Sequence, residues 1–147
     1  MFKHILLPTD GSPLSLRAAK AAVRFASANG ARITAFYVMP QFRPDISGDY
    51  IPPSFVSLAE FTKQIKKTAD KYLGKVKQLA DAANVPCATA RSSSDFPHEA
   101  IIKAARANKC DLVFMASHGR RGIASLLIGS ETTKVLTHCK LPVLVYR

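Results

Sequence analysis

The functions open to this chain are limited first by what its 147 residues lack. It has no apolar run of about 18 residues, the length that a transmembrane helix needs, so no membrane-spanning segment is expected. The opening segment, MFKHILLPTDG, contains an apolar run too short for the core of a signal peptide, which favours a cytoplasmic protein. The three cysteines include no CxxC pair, which argues against a disulfide framework.

The common catalytic motifs are also missing from the sequence. There is no GxxxxGK[ST] phosphate-binding loop, no GxGxxG after the first predicted strand, no GxSxG turn and no HExxH metal motif. No general base is placed by a recognisable pattern either. These absences argue against an efficient enzyme and leave a slow ATPase as the enzymatic alternative.

Acidic residues are scarce, with 10 Asp and Glu against 21 Lys and Arg, and the formal net charge is +11. Such a balance can attract nucleic acid, lipid or anionic ligands. The densest basic group lies on a predicted helix and consists of Lys63, Lys66, Lys67, Lys71, Lys75 and Lys77. Because no nucleic-acid-binding motif accompanies it, we interpret this group as a solvated helix face and do not expect nucleic acid as a partner.

The chain alternates short apolar runs with amphipathic segments. Apolar or β-branched runs predict strands over residues 3–7, 32–39, 86–91, 112–115 and 141–146. Residues spaced by three and four predict helices between them, the first capped by Ser12 and ended by Gly30. The order βαβαβαβαβ predicts one α/β domain over residues 1–147 with a parallel sheet. Four prolines between Pro40 and Ser54 predict a long loop.

Two loops follow predicted strands at the sheet edge where such folds bind ligands. The first contains Pro8, Thr9 and Asp10; the Asp10 carboxylate could bind ribose hydroxyls or a metal ion, or could simply form a turn. The second begins at Ala116 and ends at Gly129, where a helix starts. A helix N-terminus has unpaired N–H groups and a positive dipole, so this loop predicts a phosphate site.

Several residues of the second loop could contribute to that site. The candidates are Ser117, His118, Gly119, Arg120 and Arg121 in the loop, and Ser130, Thr132 and Thr133 in the first turn of the helix that follows. Backbone N–H groups would face phosphate oxygens, and an arginine would add charge-assisted hydrogen bonds. For His118 we favour structural hydrogen bonding over catalysis, and Ser130 is expected to cap its helix, donate to phosphate or do both.

Over its whole length, from ILLPTDGS to LPVLVYR, the chain resembles the universal stress protein family. Nucleotide-binding members carry the pattern G-x2-G-x9-G-[ST], which here is matched by Gly119, Gly129 and Ser130, with Ala116 in place of the first glycine. The resemblance implies a Rossmann-like, five-stranded parallel sheet of order 3-2-1-4-5 with helices on both faces, of the adenine nucleotide alpha hydrolase-like type. It also implies a homodimer formed through the last strand, Val143 to Tyr146.

The resemblance further implies that ATP or AMP binds, with Mg²⁺ held through the phosphates. Pro8, Thr9, Asp10 and the backbone of Val38 would line the adenosine side. Ala116, Ser117, His118, Gly119, Arg120, Gly129, Ser130, Glu131 and Thr132 would lie around the phosphates, with Glu131 contributing its backbone N–H and not its carboxylate. The alanine at position 116 leaves open a dimeric interaction protein of the same fold that binds no nucleotide.

Overall fold

The computed structural model describes residues 1–44, 56–120 and 128–147. Within these residues, strands and helices alternate in the predicted order. They are β1 (His4–Pro8), α1 (Pro13–Asn29), β2 (Arg32–Met39), α2 (Leu58–Ala82), β3 (Cys87–Ser93), α3 (Pro97–Ala107), β4 (Leu112–Ala116), α4 (Ser130–His138) and β5 (Val143–Tyr146).

The strands form one parallel sheet in the order β3-β2-β1-β4-β5, which confirms the predicted topology. The central strand β1 is apolar throughout its middle, and Ile5, Leu6 and Leu7 have no exposed surface. A strand buried on both faces reads as a continuous apolar run because neither side alternates with solvent.

Helices cover both faces of the sheet and create two cores. On one face, α1 and α2 pack through small and branched side chains such as Ala22, Leu73 and Val76. On the other face, α3 and α4 contribute Ile101, Ala105 and Val135. The sheet is therefore the middle layer of three, and among the described residues no helix covers its strand ends or its outer edges.

The signals that begin and end α1 act as the sequence predicts. The Ser12 hydroxyl accepts a hydrogen bond from the Ser15 N–H at 3.1 Å, and Pro13 is the first helical residue. Gly30 ends the helix in the left-handed conformation, with φ 59°, which costs a residue without a β-carbon nothing.

Four of the five strands have bounds that differ from the sequence prediction by one or two residues. β1 begins at His4 instead of Lys3, and β5 begins at Val143 because Pro142, which has no N–H, precedes it. β3 continues to Ser93, through residues predicted as a turn, because they pair with the longer β2. The predicted proline-rich loop lies outside the described residues from position 45 onward.

In the parts of the chain that the structure describes, none of the helices combines the length and the apolar character needed to cross a membrane.

Candidate functional site

The two central strands separate at their carboxyl ends, and we call the region between those ends and the loops that follow them the cleft. The β1–β4 ladder contains the pairs Ile5 with Leu112 and Leu6 with Val113, although β1 continues to Pro8 and β4 to Ala116. Beyond that point β1 stays with β2 and β4 stays with β5. The separation falls where the strand order reverses, which is the usual ligand position in sheets of this type.

The first loop is tied to the sheet directly after β1. The Thr9 N–H donates to the Phe36 carbonyl at 2.9 Å, and the buried Thr9 hydroxyl lies 3.2 Å from the Ser15 hydroxyl. Gly11 follows with φ +73°, and a β-carbon there would overlap the Tyr72 ring. The turn therefore requires glycine for both its backbone angle and its close contact with α2.

Asp10 connects the two loops that the sequence predicted as one site. One carboxylate oxygen accepts from the Ser12 N–H at 3.0 Å, and the other accepts from the Arg120 N–H at 2.6 Å. Burial alone would raise the pKa of the Asp10 carboxyl, but the hydrogen bonds from Ser12 and Arg120 outweigh it and hold that pKa below its ordinary value. Asp10 is therefore both a turn residue and a negative charge at the cleft.

Arg120 strengthens the same connection from the second loop. Its guanidinium donates to the Asp10 carbonyl at 2.9 Å and to the Gly11 carbonyl at 3.1 Å. The guanidinium carbon lies 5.1 Å from the centre of the Tyr72 ring, a cation–π distance. Tyr72 in turn packs edge-on against Tyr37, with ring centres 5.4 Å apart. Arg120, which was predicted to lie near the phosphates, thus connects the first loop to Tyr72 of α2.

The two motif glycines provide space and not unusual backbone angles. Among the described glycines only Gly11 and Gly30 have positive φ. A β-carbon at Gly119 would overlap the Asp10 carboxylate, and one at Gly129 would lie 3.1 to 3.3 Å from His118 and the Ser117 carbonyl. Both positions are places where two chain segments approach closely.

Ser117 joins β4, β5 and α4 at the base of the second loop. Its N–H donates to the Tyr146 carbonyl at 2.7 Å, and its carbonyl accepts from the Gly129 N–H at 2.7 Å. Its hydroxyl lies 3.2 Å from Nδ1 of His118. The predicted structural hydrogen bonding of His118 is therefore present, and Gly129 is held directly beside the end of β4.

Ala116 is a regular strand residue and has no strained backbone. It ends β4, pairs with Tyr146 and is not among the described residues with positive φ. Its carbonyl accepts a hydrogen bond from the buried Thr132 hydroxyl at 3.1 Å, which anchors the first turn of α4 on the sheet. The methyl group that replaces the motif glycine therefore imposes no conformational cost.

The N-terminus of α4 lies beside the end of β4, because the Gly129 N–H bonds to the Ser117 carbonyl. Gly129 is the N-cap residue and Ser130 is the first helical residue, so the expectation that Ser130 caps the helix is wrong. The Thr133 N–H donates to the Gly129 carbonyl, as helix geometry requires. Within the described residues, the N–H groups of Ser130, Glu131 and Thr132 have no acceptor. Three adjacent donors and the positive helix dipole suit an anion.

The Glu131 carboxylate is directed away from those donors, toward the start of α3. One oxygen accepts from the His98 N–H at 2.9 Å and lies 3.0 Å from His98 Nδ1, and the other accepts from Lys134 at 3.0 Å. Burial would raise the pKa of Glu131, but the hydrogen bonds from Lys134 and His98 lower it overall. The carboxylate is thus bound to His98 and Lys134, and its expected position relative to phosphate stays a prediction.

Val38 presents backbone groups on the other side of the cleft. In β2, the Phe36 carbonyl bonds to Thr9 next to β1, whereas the Met39 carbonyl bonds to Ser94 beyond β3. Because backbone directions alternate along a strand, the N–H and carbonyl of Val38 point to the β1 side, past the end of β1. These backbone groups could form hydrogen bonds with the edge of a planar heterocyclic ring.

The described residues contain no group of three or more His, Cys, Asp or Glu side chains that could hold a metal ion. A divalent cation at this cleft would therefore depend on oxygen atoms that a ligand brings with it.

Tyr72 and Gly11 belong to the site, although the sequence analysis missed both. Tyr72 lies beside the apolar positions of α2 and directly follows Lys71, and Gly11 directly follows the predicted site residue Asp10. A large aromatic next to an apolar helical stripe is a weak signal, because the same pattern also describes ordinary core packing.

The sheet order and the separated strand ends define a doubly wound α/β protein, with a candidate ligand site between β1 and β4 and a helix N-terminus beside it. Comparison with known proteins identifies the family within this fold class. The model of the universal stress protein family matches residues 1–147, and the chain belongs to that family.

Two relatives and three solved structures illustrate the likeness. A universal stress protein of Methanocaldococcus jannaschii is 32% identical over 100% of this chain and 83% of its own length. One of Thermus aquaticus is 35% identical over 100% of both chains. The solved structure of another Methanocaldococcus jannaschii member has a TM-score of 0.80 at 25% identity, covering 99% of this chain and 95% of that one.

Two further structures share the fold and were solved with nucleotides. A universal stress protein in complex with cAMP has a TM-score of 0.72 at 24% identity, covering 99% and 97% of the two chains. A family member from Arabidopsis thaliana with AMP bound has a TM-score of 0.68 at 14% identity, covering 97% and 90%.

Proposed function

We propose that this protein binds an adenine nucleotide, ATP or AMP, in the cleft at the carboxyl ends of β1 and β4, and acts in the cytoplasmic stress response as a homodimer. The observation that carries the proposal is the open N-terminus of α4, with three N–H groups that no described residue accepts, beside the separated strands. Neighbouring structures with cAMP and AMP support the choice of adenine nucleotides.

The ligand would lie across the two loops. The adenine would meet the backbone of Val38, the ribose would lie near Asp10, and the phosphates would reach Gly129 and Ser130. Mg²⁺ would be held chiefly by phosphate oxygens, because Mg²⁺ commonly binds through substrate phosphates with few protein ligands. We expect micromolar affinity, about −8 kcal/mol.

Isothermal titration calorimetry with ATP, AMP and adenosine tests this proposal. Asp10→Ala should weaken binding by about tenfold or more, because it removes the carboxylate at the ribose and loosens the loop connection. Asp111→Ala is the matched control: Asp111 also accepts two backbone N–H groups, from Lys3 and His4, but at the opposite end of the sheet. No binding heat and no thermal shift at millimolar nucleotide would refute nucleotide binding.

The dimer would form through the outer edge of β5. The carbonyls of Pro142 and Tyr146 bond toward β4, so by alternation the backbone groups of Val143 and Val145 point outward. A half-buried apolar edge strand is a surface that proteins usually cover. Sedimentation velocity should show a dimer in the wild type and a monomer in Val145→Pro, which removes only an outward N–H. A wild-type monomer would refute this part.

A further inference from the structure

We propose that His98 acts as a positioning residue for phosphate: it holds the Glu131 carboxylate on α3, and so keeps the N-terminus of α4 free for an anionic ligand. This inference rests on the proposed nucleotide function of the same site. It adds a residue from α3, outside both loops, and assigns to it the selection of phosphate-bearing ligands.

The contacts make the arrangement specific. Glu131 occupies the second position of α4, where an acidic side chain normally interacts with the positive end of its own helix. Instead it accepts hydrogen bonds from the backbone and the ring of His98 and from Lys134. The acidic group that could best compete with phosphate is thus bound elsewhere.

α3 needs this partner because it has no cap of its own. Phe96 is its N-cap residue and provides no side-chain hydrogen bond, so the first N–H groups of α3 depend on an acceptor from outside the helix. Glu131 provides that acceptor for His98. A single carboxylate therefore provides an acceptor at the start of α3, while the first N–H groups of α4 have no acceptor among the described residues.

His98→Asp reverses the arrangement without uncapping α3. The new carboxylate suits the first turn of α3, and it repels Glu131, which is then expected to turn toward its own N-terminus and compete with ligand phosphate. Affinity should fall by roughly five- to tenfold for ATP, less for AMP and not at all for adenosine. Adding Glu131→Gln should restore ATP binding, because a neutral amide neither is repelled nor opposes phosphate.

Ala107→Asp is the control for net charge, since it adds one negative charge at the exposed last turn of α3, far from Glu131. It should leave ATP affinity nearly unchanged. Equal losses for ATP and adenosine in His98→Asp, or no recovery with Glu131→Gln, would overturn the inference and indicate a merely structural role.

A second measurement does not depend on nucleotide. In ¹⁵N-labelled protein, the amide signals of Ser130, Glu131 and Thr132 should shift in His98→Asp and return in the double variant, because a carboxylate approaches and then leaves them. Unmoved signals would overturn the inference. Moved signals in a protein whose wild type binds no nucleotide would support the rearrangement and refute the proposed function instead.

Discussion

Replacing Gly119 by alanine tests the contact that joins the two loops of the cleft. The added β-carbon would overlap the Asp10 carboxylate, which at that point accepts the Arg120 N–H at 2.6 Å. The backbone at Gly119 has no positive φ, so the substitution introduces no dihedral strain. Any loss of stability therefore comes from the displaced carboxylate.

The expected size follows from two opposing effects. A hydrogen bond to a charged group contributes about 1.5–3 kcal/mol, and we take the lower end because this one is exposed to solvent. Glycine to alanine at an ordinary backbone angle returns about 0.4–1 kcal/mol through the unfolded chain. Gly119→Ala should therefore lower the free energy of unfolding by about 1 kcal/mol.

Urea unfolding at neutral pH, followed by circular dichroism, measures the effect. With an m value of about 2 kcal/mol/M, the midpoint should fall by roughly 0.5 M. Gly74→Ala is the matched control: it lies inside α2, and nothing is within 4 Å of its added β-carbon. That variant should be more stable by about 0.5–1 kcal/mol. If Gly119→Ala is as stable as Gly74→Ala, the reasoning about Asp10 is refuted.

Three further predictions concern the same cleft. Ala116→Gly should change ATP affinity less than about threefold, since Ala116 has an ordinary strand backbone; a tenfold gain by calorimetry would indicate an impaired site. The pKa of the Asp10 carboxyl is lowered from 3.8 on folding, so ionised Asp10 stabilises the protein fully above that value and loses this effect as pH falls toward the lower folded pKa. Asp10→Asn should therefore reduce the fall of the urea midpoint with decreasing pH. An unchanged fall would contradict this. Gly11→Ala should destabilise a Tyr72→Leu background less than it destabilises the wild type, because the ring that the new β-carbon would overlap is then absent and only the positive-φ strain remains. If the losses in unfolding free energy of the two single variants simply add, the overlap is not significant.

The bounds of a helix or strand were predicted well where they depend on residues within the same segment. The hydroxyl of Ser12, the ring of Pro13 and the freedom of Gly30 act on their immediate neighbours, so α1 has the predicted ends. Continuous apolar runs identified β1 and β4 in the same way. Polar β3 was harder to delimit, because its last residues are held in the strand by pairing with β2 and not by their own propensity.

The candidate site likewise has features that follow from local sequence and features that depend on distant residues. The chain order of strands and helices was enough to predict that the loops after β1 and β4 meet, because carboxyl ends of parallel strands share one edge. The roles within them were not predictable. Arg120 contacts a loop 110 residues earlier, and Glu131 contacts an α3 residue 33 earlier. Nothing in the spacing of either residue indicates its partner.

The sequence alone therefore determined the order of elements, the parallel sheet and the two loops that carry the predicted site, since apolar periodicity, caps and turn residues act over a few positions. Only the tertiary structure decided which neighbours a β-carbon at Gly119 or Gly129 would crowd and why Ala116 has an unstrained backbone. It also decided which groups bind the charged side chains of Asp10, Arg120 and Glu131. Those outcomes depend on which distant segments pack together, and hence on distances that exist only once the sheet and its helices have assembled.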